Sequence, residues 1–181
     1  MFSLRSKITQ AVLNYFFLNP KKTLYINEMA RLLKVDQGNL SRKLNELVTA
    51  GLLKAEYKGN QRYYSLNASH PLLKHYKSIV LTTVGLEADL KKTFLHIKGI
   101  KQLIIFGSYV RNRLRIDSDI DLLVVGPASH LEIVKAILPL QQKTGRPINV
   151  VDLSEKEFQN KMTKKDPLLM DIFKKPLIQL I

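Results

Sequence analysis

Residues 103–125, LIIFGSYVRNRLRIDSDIDLLVV, constrain the fold of this chain more than any other stretch. The apolar run Leu103-Ile104-Ile105-Phe106 stops at Gly107-Ser108, residues 109–118 intervene, and Asp119-Ile120-Asp121 opens a second apolar run that lasts to Val125. Both runs have strand length. Residues i and i+2 of a strand share a face, so Asp119 and Asp121 are expected side by side while Ile120 and Leu122 enter a core. Two carboxylates held that way repel each other unless a cation neutralises them. Mg²⁺ suits the pair, because it takes hard oxygen ligands and completes its shell with substrate phosphates. Gly107 allows close backbone approach to a phosphate, and Ser108 adds a hydroxyl and an N–H donor. Arg111, Arg113 and Arg115 supply guanidinium groups for a triphosphate or a nucleic-acid backbone.

The rest of the chain says what surrounds this string. Helical spacing returns over 131–140, a third strand is expected at Ile148 to Leu153, and short helices at 155–162 and 168–173. Upstream, Ile8, Ala11, Val12, Tyr15 and Phe16 have the i, i+3, i+4 pattern of a helix with one buried face, ending before Asn19-Pro20. A second stripe follows at Ile26, Met29, Ala30 and Leu33, with Asn27 as its expected cap. Asp36 is the expected N-cap of a third helix, whose stripe is Leu40, Leu44, Leu47 and Val48 and whose end falls at Gly51. The period then changes to two: Leu53, Ala55 and Tyr57, a turn at Gly59-Asn60, then Tyr64 and Leu66, which reads as a β-hairpin. Helical spacing from Pro71 to about Ile97, interrupted at Gly85, connects the two halves. The expected fold class is α+β in two domains: 1–68, a helical connector over 69–98, and 99–181, the last a mixed sheet flanked by helices.

Charge is uneven. The 181 residues carry a formal net charge of +14, and +9 of it lies in residues 1–80. Such an excess points to nucleic acid, an anionic surface or solubility. With 45% hydrophobic and 24% charged residues the chain can build packed cores, which excludes a disordered polymer. No cysteine is present, so disulfides, thiolate nucleophiles and Cys-ligated zinc are excluded. No apolar run reaches the roughly 20 residues that span a bilayer, and Arg5 and Lys7 precede Gln10 and Asn14 rather than an uninterrupted apolar stretch, so no secretory signal is expected; the expected setting is the cytoplasm, without a membrane partner.

Three helices followed by a hairpin with a basic tip form the pattern of a winged helix-turn-helix, in which a recognition helix enters the major groove and the hairpin touches flanking backbone. Opposite the core stripe of the third helix stand Gln37, Gly38, Asn39, Ser41, Arg42 and Asn45, whose side chains suit base edges. Lys43, Lys58 and Arg62 suit phosphates. The run INEMARLLKVDQGNLSRKLNELVTAGLLKAEYKGNQRYYSL resembles the MarR/ArsR-like winged-helix regulators. That resemblance implies double-stranded DNA as a partner. A homodimer through the helix around Leu72 to Val84 would match a two-fold DNA site.

The rear string is similar to the nucleotidyltransferase superfamily that includes DNA polymerase β, and most of all to its minimal-nucleotidyltransferase branch: an apolar residue, Gly-Ser, a spacer, then Asp-apolar-Asp-apolar. The resemblance implies a nucleotidyltransferase-like domain in which Asp119 and Asp121 ligate Mg²⁺, with Gly107, Ser108, Arg111 and Ser118 as the nucleotide-binding set. The metal would activate a hydroxyl for attack on the α-phosphate of a nucleoside triphosphate. A third carboxylate normally comes from a later strand. In Ile148-Asn149-Val150-Val151-Asp152-Leu153 the acidic residue is Asp152, the third catalytic candidate, yet the family's spacing puts Asn149 at that position. Only one of the two can face the pair, because an odd separation points them to opposite sides.

Two functional readings follow. The first is a DNA-binding transcriptional regulator whose rear domain binds a nucleoside triphosphate with Mg²⁺, to transfer a nucleotidyl group or to sense the nucleotide. The second is a nucleotidyltransferase of the antitoxin-like adenylyltransferase kind that modifies a protein or small hydroxylated acceptor, with an inactive scaffold as its limiting case.

Overall fold

The computed structural model describes residues 3–111 and 118–181. The chain divides into two compact units, Met1–Ala88 and Asp89–Ile181.

In the first unit the helices are α1 (Lys7–Leu18), α2 (Ile26–Leu33) and α3 (Gln37–Thr49). Ser6 caps α1 through Thr9 N–H at 3.3 Å, and Asp36 caps α3 through Asn39 N–H at 2.8 Å, each satisfying an orphan donor. Asn27 does not cap α2, which begins one residue earlier behind Tyr25 with no side-chain cap. Strands β1 (Thr23–Tyr25), β2 (Leu53–Lys58) and β3 (Gln61–Leu66) form a sheet in the order β1-β3-β2. The hairpin matches the expectation, with Leu53 opposite Leu66 and Lys58 opposite Gln61. Strand β1 was not foreseen: three residues are too few to show a period. Val12, Leu13, Phe16, Phe17, Leu40, Leu44 and Leu47 are fully buried. Next, α4 (Leu73–Thr83) packs against α1.

Gly85 ends α4 and precedes α5 (Leu86–Leu95). A Cβ at Gly85 would press on Asn14 Oδ1 and on the backbone of Val80 and Leu81. Asn14 is buried, and its Oδ1 accepts from Leu86 N–H at 3.1 Å, which ties α1 to the start of α5. The division between the units falls inside α5, so the segment 69–98, expected as a connector, is shared between them.

The second unit holds β4 (Gln102–Phe106), β5 (Ile120–Val125), α6 (His130–Thr144), β6 (Ile148–Leu153), α7 (Glu155–Thr163), α8 (Pro167–Lys174) and β7 (Ile178–Gln179). Its four-stranded sheet has the order β6-β5-β4-β7, with β5 and β6 parallel and the other pairs antiparallel. This is the expected mixed sheet. Ile104, Leu123 and Val125 pack with Leu169 and Ile172 of α8, and Phe158 and Met162 of α7 close over them. Ile120, Leu122 and Ile133 are buried as well. Among the described residues no helix is long and apolar enough to cross a membrane.

Candidate functional site

Strands β4 and β5 bring their ends together where the sequence predicts. Phe106 stands opposite Asp121, and Gly107 follows at φ 77°, a left-handed conformation that glycine adopts without a steric cost. A Cβ at Gly107 would overlap Oδ2 of Asp121. Glycine is therefore demanded twice, by its backbone angle and by the carboxylate lying over it. Ile120 is fully buried while Asp119 and Asp121 are half-buried beside it, as period two requires.

The pair is electrostatically strained. The Asp121 carboxyl is pushed above its ordinary value of 3.8, first by desolvation and then by the charge of Asp119, with Arg111 opposing both. A cation placed between the two would relieve the second cause. Gly107, with no side chain, leaves open the cradle over which Asp121 lies. Two carboxylates beside an open backbone turn thus fit one divalent ion.

The neighbouring strand decides the third position. Asp121 lies opposite Asn149 across the parallel β5–β6 pair, whereas Asp152 lies opposite Val124. The Asn149 Nδ2 donates to Asp119 Oδ2 at 2.8 Å. Asp152 instead meets Nδ1 of His130, the first residue of α6, at 3.0 Å. The candidate Asp152 therefore does not join Asp119 and Asp121; the odd spacing turns it to the other face of the sheet, and an amide stands where a third carboxylate was sought. Among the described residues, no group of three or more His, Cys, Asp or Glu could hold a metal ion.

Ser108 and Arg111 lie on the turn after β4, and Ser118 immediately precedes Asp119. Arg113 and Arg115 lie outside the described residues. Arg146, buried at 3% exposure, was missed by sequence reasoning; its guanidinium donates to the Ser118 carbonyl. Next to it, Ile120 N–H donates to the Pro147 carbonyl at 3.0 Å. These two bonds set the chain on its course into Asp119. A lone Arg after Gly145 carries no periodic signal, so nothing local in the sequence marks it.

In the first unit, Gln37, Gly38, Asn39, Arg42 and Asn45 are exposed on α3 and Ser41 is half-buried. An open groove of about 650 Å³ is lined by Gly38, Ser41, Arg42, Asn45 and Glu46 among others, and it shares no residue with the carboxylate pair. Two expected phosphate contacts are otherwise engaged. Lys43 bonds both carboxylate oxygens of Glu46, at 2.7 and 2.8 Å, because i and i+3 are neighbours on a helix. Arg62 donates to Asn45 Oδ1 at 2.7 Å and lies over the rings of Tyr57 and Tyr64. Lys58 is exposed, with its ammonium 5.4 Å from the Tyr63 ring centre.

Residues 87–177 match the family model of the nucleotidyltransferase domain, and the chain belongs to that family. A Methanocaldococcus jannaschii protein, provisionally named a protein adenylyltransferase, is 38% identical over 63 residues, which is 35% of this chain and 63% of that relative. The chain thus spans less than two thirds of the length of that curated relative. Among solved structures, a toxin–antitoxin crystallised with AMP-PNP overlaps 52% of this chain and 72% of its own, at 18% identity and a TM-score of 0.40. Reduced HlyU from Vibrio cholerae overlaps 45% of this chain and 80% of its own, at 18% identity and a TM-score of 0.36. Family membership favours the second functional reading, nucleotidyl transfer, over the regulator reading.

Proposed function

We propose that the second unit is a nucleotidyltransferase that binds a nucleoside triphosphate with Mg²⁺ and transfers the nucleotidyl group to a hydroxyl of a protein acceptor. The observation that carries this is the meeting of Gly107, Asp119 and Asp121 at one end of β4 and β5. Mg²⁺ bound there would supply charge neutralisation for the carboxylates and the phosphates. Asp119 and Asp121 hold the ion, Gly107 and Ser108 offer backbone and hydroxyl to a phosphate, and Arg111 and Ser118 complete the nucleotide set. Arg146 positions Ser118, and through it Asp119, without touching substrate. In the reaction the acceptor oxygen bonds to the α-phosphorus, the bond from that phosphorus to its bridging oxygen breaks, and pyrophosphate leaves with the electron pair. The acceptor's proton passes to solvent. The relative named as a protein adenylyltransferase supports adenylyl as the group and protein as the acceptor.

Label transfer from each α-labelled nucleoside triphosphate to candidate proteins tests this reading. Incorporation that requires Mg²⁺ and is lost in Asp119→Asn/Asp121→Asn is the expected result. Mg²⁺-dependent nucleotide binding unchanged by that double substitution would remove the assignment.

A second reading concerns the first unit as a winged helix-turn-helix over residues 1–68 that binds double-stranded DNA. It is favoured by the exposed polar face of α3, from Gln37 and Asn39 to Arg42 and Asn45, in the more basic part of the chain. Lys58 serves as its phosphate contact, and a cytoplasmic homodimer through α4, with Leu72 and Ile79 exposed, would suit a two-fold site. Duplex affinity should fall steeply with salt. Affinity that stays flat from low to moderate salt would contradict it.

A further inference from the structure

Asn149 sits on β6 beside the carboxylate pair of the site. It stands opposite Asp121 and donates its amide to Asp119. A neutral amide there changes the charge balance of the site. Asp119 and Asp121 together carry two negative charges, which one divalent ion cancels. Of two divalent ions about 3.5–4 Å apart, the spacing of a two-metal centre, one arrives with the triphosphate and its anionic oxygens, and the other depends on the carboxylates of the protein. Their mutual repulsion would be four times that of unit charges, and among the described residues no third carboxylate joins Asp119 and Asp121 to hold that second ion against it. The nearest acidic side chain of β6, Asp152, is turned away and held by His130. Asn149 itself would have to give up its bond to Asp119 and turn over before its carbonyl oxygen faced an ion.

We propose that Asn149 makes this a one-cation nucleotide site, in which Asp119 and Asp121 share the single divalent ion that a triphosphate brings and Asn149 replaces the anion a second ion would require. This rests on the reading of the second unit as a metal-dependent nucleotide site. The acceptor hydroxyl consequently loses its proton without a metal of its own, which favours a hydroxyl that ionises readily, such as a phenol, over an aliphatic alcohol.

Mn²⁺ bound to the full chain, in the presence of a non-hydrolysable ATP analogue, counts the ions by equilibrium dialysis, and electron paramagnetic resonance reports their separation. The wild-type chain should hold one Mn²⁺ with an uncoupled spectrum. Asn149→Asp should hold two, with the broadened spectrum of spin-coupled neighbours, while Asn149→Ser, which adds no charge, should stay at one. Two coupled ions in the wild type would overturn the inference and leave the nucleotidyltransferase reading standing. An Asn149→Asp protein that folds by circular dichroism yet holds one ion would likewise overturn it. No Mn²⁺ bound to the wild type above the level of Asp119→Asn/Asp121→Asn would instead defeat the underlying reading.

Discussion

Gly107→Ala should weaken the second unit by an amount that depends on a carboxylate fourteen residues away. At φ 77° an alanine pays about 1–2 kcal/mol for the left-handed conformation. Its Cβ would also overlap Oδ2 of Asp121, and displacing that side chain from its rotamer costs about 0.5–1.5 kcal/mol. The lower entropy of alanine in the unfolded chain returns about 0.4–1 kcal/mol. The net is about 2 kcal/mol, which for a unit of this size lowers Tm by about 8–16 °C. In an Asp121→Ala background the overlap is gone and about 1 kcal/mol should remain, so the double-mutant cycle should give a coupling of about 1 kcal/mol. Scanning calorimetry of the four proteins, following the transition of the second unit, measures each corner. A Gly107→Ala cost that is the same with and without the Asp121 carboxylate would refute the idea that the carboxylate lies over the turn.

Asp121→Asn should melt higher than the wild type at neutral pH without divalent ions. The folded pKa of Asp121 is raised, so the folded chain holds its proton more tightly than the unfolded one, and stability falls as pH rises from the ordinary value of 3.8 through the raised value. The advantage of the variant should vanish below that window and shrink when Mg²⁺ is added; a Tm difference constant across pH would contradict this. Asn14→Ala removes the acceptor of the buried Leu86 N–H and should cost about 1–3 kcal/mol, read as a loss in the transition of the first unit. Arg146→Met should weaken Mn²⁺ binding by loosening the Ser118 carbonyl and with it Asp119, while the first unit's transition stays put; unchanged Mn²⁺ affinity would deny Arg146 its positioning role.

Much of this was legible because the informative segments are long or periodic. The runs at 103–106 and 120–125 are apolar and bounded, and they became β4 and β5. Asp36 capped α3 because its neighbour pattern left no competing start. Asn27 failed as a cap because the helix could begin directly from the extended Tyr25. Strands β1 and β7, of three and two residues, take their conformation from the strands they join and carry no signal of their own. Alternation says only that Asn149 and Asp152 oppose each other, and the family's spacing pointed to Asn149 without showing what it meets. It is the register of β6 on β5 that selects Asn149. Lys43 and Arg62 look like free cations in sequence, and only their meetings with Glu46 and Asn45 reveal otherwise.

Arg146 and Pro147 grip the chain at Ser118 and Ile120, and Gly107 fixes the other end of the connection against Asp121. The two carboxylates therefore take their position from backbone held on both sides of them. Substitutions at Gly107, Arg146 or Pro147, none of which bears a carboxylate, therefore act on the charge centre as directly as substitutions at Asp119 or Asp121.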